Sequence, residues 1–147
     1  VFGKIRTSVP DVTIGRFRST VKELLREGRG RNLARFVTER LNPMIRGWYQ
    51  YFAPGLSGRQ TQSLDFWIRR RLRCLIWRQW KVPSTRVRKL RSLGVPQEKA
   101  RFGSNHGGPW WNSGIPIVFQ ALGPSFFQAL DLFSMSDNIK AKRTTST

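Results

Sequence analysis

The stretch QTQSLDFWIRRRLRCLIWRQWK, residues 60–81, decides the fold class. Its apolar residues recur every three or four positions, as they do on one face of an α-helix. That stripe consists of Leu64, Trp67, Ile68, Leu72, Leu75 and Ile76. Pro83 cannot continue a helix without the loss of a backbone hydrogen bond. The sequence therefore predicts one long helix, ending near Lys81, that packs its stripe into a core.

Helical spacing continues on both sides of this stretch. Asn32 and Ser84 are placed to act as N-caps, and a break or kink is expected at Asn42–Pro43. The predicted further helices cover residues 13–27, 33–41, 44–52, 85–93 and 96–101, with a last one opening at Pro124 and Ser125. No strand-like alternation persists. The fold class is therefore all-α: a basic helical bundle with a Gly/Trp-rich loop at 103–114 and a short C-terminal helix.

The charge of the chain is its most unusual property. The 147 residues hold 27 Lys and Arg against 8 Asp and Glu, for a net charge of +19, and 20 of the cations are Arg. Residues 59–101 carry +11 of this charge, whereas residues 102–147 carry +1. The planar fork of Arg matches phosphate, so a nucleic acid is the expected partner.

Several classes of function are excluded by composition. One Cys and one His make neither a disulfide framework nor a zinc finger within this chain. The few carboxylates show no spacing for a two-metal site, so no catalytic residue, metal site or cofactor is predicted. No apolar run approaches the ~20 residues that span a bilayer, so no membrane partner is predicted. The expected location is the bacterial cytoplasm, with an organelle as the alternative although no transit peptide is visible.

The long helix also supplies the candidate binding site. On a helical wheel Phe66, Arg70, Arg73, Trp77 and Lys81 share the face opposite the apolar stripe. Aromatic rings interleaved with cations are typical of nucleic-acid binding. In the alternative interpretation, the rings contact a neighbouring helix and the arginines only extend along it to solvent. The candidate nucleic-acid-binding residues are Arg46, Arg69, Arg70, Arg73, Trp77, Arg78, Lys81, Arg86, Arg88, Lys89 and Arg91.

Several other residues are expected to contribute to the packing of the fold. Arg71 and Arg78 lie nearer the apolar stripe and are expected to contribute more to packing. Trp48 and Phe52 are expected in the core, with Gly47 marking a close helix contact. At least one of two adjacent tryptophans in the Gly/Trp-rich loop, Trp110 and Trp111, is expected to anchor that loop on the bundle.

Four stretches together resemble the maturase-specific domain, also called domain X or the thumb, of group II intron reverse transcriptases. They are Leu41–Trp48 with Tyr51–Phe52, Leu64–Asp65 with Trp67–Lys81, Pro83 with Thr85–Arg86 and Leu90–Gly94, and Gly108–Asn112. The resemblance covers residues 10–135. It implies a helical bundle that binds its own intron RNA and assists the folding and splicing of that RNA. The ribozyme itself performs the splicing chemistry.

The sequence departs from the full-length pattern of that family. It has no Asp-Asp and so no palm metal-binding turn, and its single Cys cannot build the Cys-rich endonuclease domain. Polymerase activity is therefore not expected of this chain alone. The first residue is Val, and the expected organisation is a linker remnant at 1–12, the maturase domain at 13–136 and a frayed polar tail at 137–147. The alternatives are a thumb that completes a split reverse transcriptase, with a separate palm and fingers as partner, and an inactive remnant.

Overall fold

A computed structural model describes residues 9–104 and 116–145, and within these ranges no strand occurs. The predicted all-α class is confirmed. The α-helices, in chain order, are α1 Asp11–Glu27, α2 Leu33–Phe36, α3 Asn42–Phe52, α4 Gly58–Gln79, α5 Pro83–Ser92, α6 Gln97–Ser104, α7 Pro116–Ala121, α8 Pro124–Ala129 and α9 Met135–Thr145.

The long helix α4 is the centre of the bundle, because α1 and α9 both pack against it. Its predicted stripe is buried except for Trp67, which is half-buried under the guanidinium of Arg18. A reciprocal pair of hydrogen bonds between Ser57 and Gln60, at 3.0 and 3.1 Å, forms a capping box. This box satisfies two of the amide groups that a helix start leaves unpaired. The helix therefore begins at Gly58, two residues earlier than the sequence indicated.

Of the break or kink predicted at Asn42–Pro43, the break is not observed. The chain stays helical from Leu33 to Phe52, with a π-helical turn at Val37–Leu41 just before the proline. Pro43 has no N–H to donate to the carbonyl four residues earlier, and a wider turn accommodates that gap without ending the helix. Asn32 caps α2 as predicted, accepting from the Arg35 amide at 3.1 Å.

A proline begins and a glycine ends the α5 region, which connects α4 to α6. Pro83 is the first residue of α5 and Val82 precedes it as the N-cap, so the assignment of Ser84 as the cap is wrong. A proline suits the first helical position because its missing N–H has no partner there in any case. Gly94, with φ of 94°, ends the α5 region in the left-handed conformation that favours glycine.

The C-terminal segment is held by two buried polar side chains of the bundle. The Asn42 amide donates to the Asp131 carbonyl at 2.7 Å and accepts from the Phe133 amide at 2.8 Å. The Asp65 carboxylate accepts from the amides of Met135 and Ser136 at 3.0 and 2.9 Å. Asp65 thereby supplies acceptors at the start of α9, where backbone donors have none within the helix.

Because of these contacts, the prediction of a frayed tail after residue 136 is wrong. Helix α9 continues to Thr145, and Met135 and Ile139 are buried against the core. Val9 is also buried, and its carbonyl accepts from the Gln60 side chain at 3.1 Å, so residues 9–12 belong to the folded unit. The predicted Gly/Trp-rich loop lies mostly outside the described residues, and Trp110 and Trp111 are among those not described.

Candidate nucleic-acid interface

Arg73 and Trp77 do not lie on an outer face of α4, as the helical wheel had placed them. Their side chains are 1% and 0% exposed. Every residue from Leu72 to Trp77 is buried, because this half of α4 is surrounded on more than one side. A helix in that position has no solvent face, and a single apolar stripe does not describe it.

Arg73 is a buried cation that supports the fold. Its guanidinium donates to the Leu122 carbonyl at 3.2 Å and lies 4.7 Å from the centroid of the Phe119 ring. Burial, together with the neighbouring charges of Arg69 and Arg70, lowers the pKa of Arg73 to about 10. The group therefore remains charged at neutral pH, where it contacts α7 and the residue after it.

Trp77 and Arg86 form a second internal contact, between α4 and α5. The guanidinium carbon of Arg86 lies 4.8 Å from the centroid of the Trp77 ring, and a guanidinium N–H donates to the Trp77 carbonyl at 3.0 Å. Burial lowers the pKa of Arg86 from its ordinary value. This cation–π pair orients α5 against the end of α4, so Arg86 is partly occupied by a structural role.

The remaining cations at the end of α4 and on α5 are exposed. We give the name α4–α5 basic surface to four of them: Lys81, which follows α4, and Arg88, Lys89 and Arg91 of α5. Arg91 donates to the Gln97 side chain, whereas acidic side chains do not form ion pairs with these four in the described structure. This arrangement leaves their charge available to an anionic partner.

The other predicted residues are dispersed over the bundle. Arg46 is exposed and lies 5.3 Å from the centroid of the Phe133 ring. Arg69 is half-buried and lines a small cavity of about 100 Å³ with Asp65 and Ser134, and Arg70 is half-buried as well. The structure therefore does not bring the eleven predicted residues together into one site.

A second basic region, which the sequence reasoning missed, lies between α1 and α4. Its cations are Lys22 and Arg26 of α1, Arg29 of the turn after it, and Arg71 and Arg78 of α4. They line a cleft of about 230 Å³ whose apolar residues are Leu25, Cys74 and Leu75. We call this feature the α1–α4 cleft. Arg78 is exposed, so its predicted packing role is wrong.

Close contacts at one end determine the width of the α1–α4 cleft. The Gln79 amide donates to the carbonyls of Gly28 and Arg31 at 2.9 and 3.1 Å. A Cβ at Gly28 would lie 3.0 Å from a Leu75 methyl carbon and 3.1 Å from the Phe36 ring. A side chain at Gly28 would require Leu75 or Phe36 to shift, so the small residue at this position lets the turn after α1 lie close against α4.

The spacing of these cations was visible in the sequence. Lys22 and Arg26 are separated by four residues, which places them on one face of α1, and Arg29 follows three residues later in the turn after that helix. The spacing along one helix does not show that Arg71 and Arg78 of α4 lie opposite them. The pairing of two helices across the bundle is what creates the cleft, and only the fold shows it.

Comparison with known proteins gives one clear relationship. Residues 14–94 match the family model described as the group II intron, maturase-specific domain. This match covers more than half of the chain and includes all of α1 to α5 except the first residues of α1. A search of the curated proteins found no match. Within the described residues, the helices are too short or too polar to cross a bilayer.

Proposed function

The chain belongs to the group II intron maturase-specific domain family, and from that membership we propose that it binds the structured RNA of a group II intron and helps this RNA reach its splicing-competent fold. The matched region is the maturase-specific domain and not a polymerase domain. The protein would act as an RNA-binding domain, and bond breaking and joining would remain with the RNA.

The observation that carries this proposal is the α4–α5 basic surface. Its four cations are exposed while neighbouring aromatic and cationic residues of α4 are buried in the core. Lys and Arg side chains that neutralise RNA phosphates release condensed counterions, and this release drives binding that weakens with salt. Double-stranded RNA is recognised mainly through its shape and backbone, which suits cations held at set positions on packed helices.

A splicing assay tests the proposed function directly. A group II intron transcript with short exons is incubated at a magnesium concentration too low for efficient self-splicing, with and without the purified chain. We expect the protein to increase the splicing rate and to bind this transcript more tightly than an unrelated structured RNA of equal length.

The Lys81→Gln/Arg88→Gln/Lys89→Gln variant is the matched control for that assay, because it removes charge from exposed positions. We expect it to fold normally and to lose most of the stimulation. Equal splicing rates with and without the wild-type protein, with no preference over the unrelated RNA, would contradict the proposal.

A second candidate function is favoured by the exposed apolar side chains. Tyr51 and Val12 are 77% and 63% exposed, so both side chains are accessible to a partner domain. They suit docking of a separately encoded palm and fingers, which would make the chain the thumb of a split reverse transcriptase. Co-purification with such a palm, abolished by Tyr51→Ser, is the expected result. Binding that is unaffected by Tyr51→Ser would contradict this docking surface.

A further inference from the structure

We propose that the α1–α4 cleft binds a short run of backbone phosphates from one RNA strand, as a contact separate from the α4–α5 basic surface. This inference rests on the proposed function, since it names a second RNA contact of the same protein. It is carried by the charge, shape and rigidity of the cleft.

The charge lining the α1–α4 cleft is of one sign. Among the described residues that line it, five are cations and none is a carboxylate. The nearest acidic residue along the chain to Arg26 is Glu27, and its carboxylate is engaged by Arg40 at 2.9 Å. A cleft lined by one sign of charge over apolar walls focuses its field and attracts the opposite charge. Here Leu25, Cys74 and Leu75 supply those apolar walls.

The shape of the cleft matches a strand better than a single small anion. Arg71 to Arg78 of α4 spans seven residues, or about 10 Å at the ~1.5 Å helical rise per residue, and Lys22 to Arg29 also spans seven residues, through α1 and the turn after it. Each line of cations is therefore longer than a single phosphate group, whereas a nucleic-acid strand presents phosphates in succession. Four of the five cations are Arg, whose fork matches phosphate oxygens. The two lines therefore lie on opposite sides of one strand.

The rigidity of the cleft favours a built site over a diffuse charged surface. Gln79 joins the turn after α1 to α4, and Gly28 holds the two elements in contact. Phe17 of α1 also packs against Trp48 of α3, with ring centroids 4.3 Å apart. Because these contacts are present in the free protein, the cations need little rearrangement to meet a strand, and less binding energy is lost to ordering.

The test measures the salt dependence of binding by the full chain to a labelled group II intron transcript. The cleft variant is Lys22→Gln/Arg26→Gln, and the charge-matched control is Arg16→Gln/Arg59→Gln, which removes two exposed cations outside both basic regions. We expect the cleft variant to lower the slope of log affinity against log salt by about two units and to weaken binding at least about tenfold. The control should change the slope by less than about half a unit.

A double-mutant comparison tests whether the two sides of the cleft share one strand. When Arg78→Gln is added to the cleft variant, the combined fold-loss in affinity should be smaller than the product of the two separate fold-losses. Both changes act on the same phosphates. Combined with Lys89→Gln on α5, the cleft variant should lose the full product. Thermal melts of each variant confirm that these exposed substitutions leave the fold intact, and Arg26→Gln alone provides a milder form of the test.

The outcomes separate this inference from the proposed function. An unaltered salt slope for the cleft variant, or an equal change in the Arg16→Gln/Arg59→Gln control, would show that the cleft does not bind RNA. Neither result would affect the preference of the wild type for intron RNA. If the wild-type chain itself shows no preference for the intron transcript over an unrelated RNA, the proposed function fails first.

Discussion

The carboxylate of Asp65, in the middle of the long helix, accepts hydrogen bonds from both the amide and the hydroxyl of Ser136, at 2.9 and 2.7 Å. Seventy-one residues separate the two along the chain. Asp65 lies inside the region that matches the maturase family model, and Ser136 lies outside it. The contact therefore links the family domain to the C-terminal helix, and it gives the motif residue Asp65 a structural role.

Asp65→Asn should destabilise the fold. One carboxylate oxygen accepts from Ser134, from the Ser136 amide and from the Ser136 hydroxyl, so an amide group there would place an N–H among donors. We expect the free energy of unfolding to fall by about 2–3 kcal/mol, the usual cost of losing hydrogen bonds to a charged group. Urea denaturation measures this change, with the exposed Asp137→Asn as control. Equal stability of the two variants would mean that Asp65 does not hold α9.

A chain truncated after Gly94 should lose cooperative unfolding. The cut removes residues that form hydrogen bonds with Asn42, Asp65 and Arg73, three buried polar side chains, and each such bond contributes about 0.5–3 kcal/mol. It also uncovers apolar surface on α4 against which α9 packs. Circular dichroism melting curves compare this fragment with the full chain. A sharp transition at the wild-type temperature would show that residues 14–94 are sufficient for folding.

Arg73 should affect stability and leave the salt dependence of RNA binding unchanged. Arg73→Ala leaves a cavity and an unpaired Leu122 carbonyl, and we expect a loss of about 3 kcal/mol or more. Arg73→Met should recover much of this loss, because it fills the space and avoids the cost of burying a charge. Thermal melts and salt-dependent binding of both variants check the two expectations. If the correctly folded Arg73→Met variant had a lower salt slope than the wild type, Arg73 would be a residue that contacts RNA.

Replacing Gly47 and Gly28 by Ala should change stability in opposite directions, because one lies on an open helix surface and the other at a close contact. Gly47 was expected to mark close packing, but a Cβ there meets nothing within 4 Å in the described structure, so that expectation is wrong. Gly47→Ala should raise stability by about 0.5–1 kcal/mol through helix propensity. Gly28→Ala should lower it by about 1–3 kcal/mol, because the added methyl overpacks against Leu75 and Phe36. Melting temperatures that shift in the same direction for both variants would contradict this contrast.

The sequence predicted the helices well and the outer face of α4 poorly, for a physical reason. The Leu64, Ile68 and Leu72 stripe has the 3.6-residue period, and periodicity reports which residues can share a face. It does not report how many neighbours a helix has. α4 is covered from several sides near Cys74, so Arg73 and Trp77 are drawn into the core by contacts with residues distant in sequence.

The same limit applies to the site and to the C-terminal helix. Composition indicated a polyanion partner, and four stretches of sequence in their order together indicated the family. The α1–α4 cleft depends on the pairing of two helices, which local patterns do not specify. The order of α9 depends on Asp65, seventy residues before Met135, so a polar composition alone made it look like a tail.

The most direct test of RNA binding through exposed cations is the salt dependence of the Lys81→Gln/Arg88→Gln/Lys89→Gln variant. Its affinity for a group II intron transcript is measured over a series of potassium chloride concentrations beside that of the wild type. The account predicts a slope of log affinity against log salt that is lower by about three units, with an unchanged melting temperature. An unaltered affinity and slope would contradict it and leave the α4–α5 basic surface as ordinary solvated protein surface.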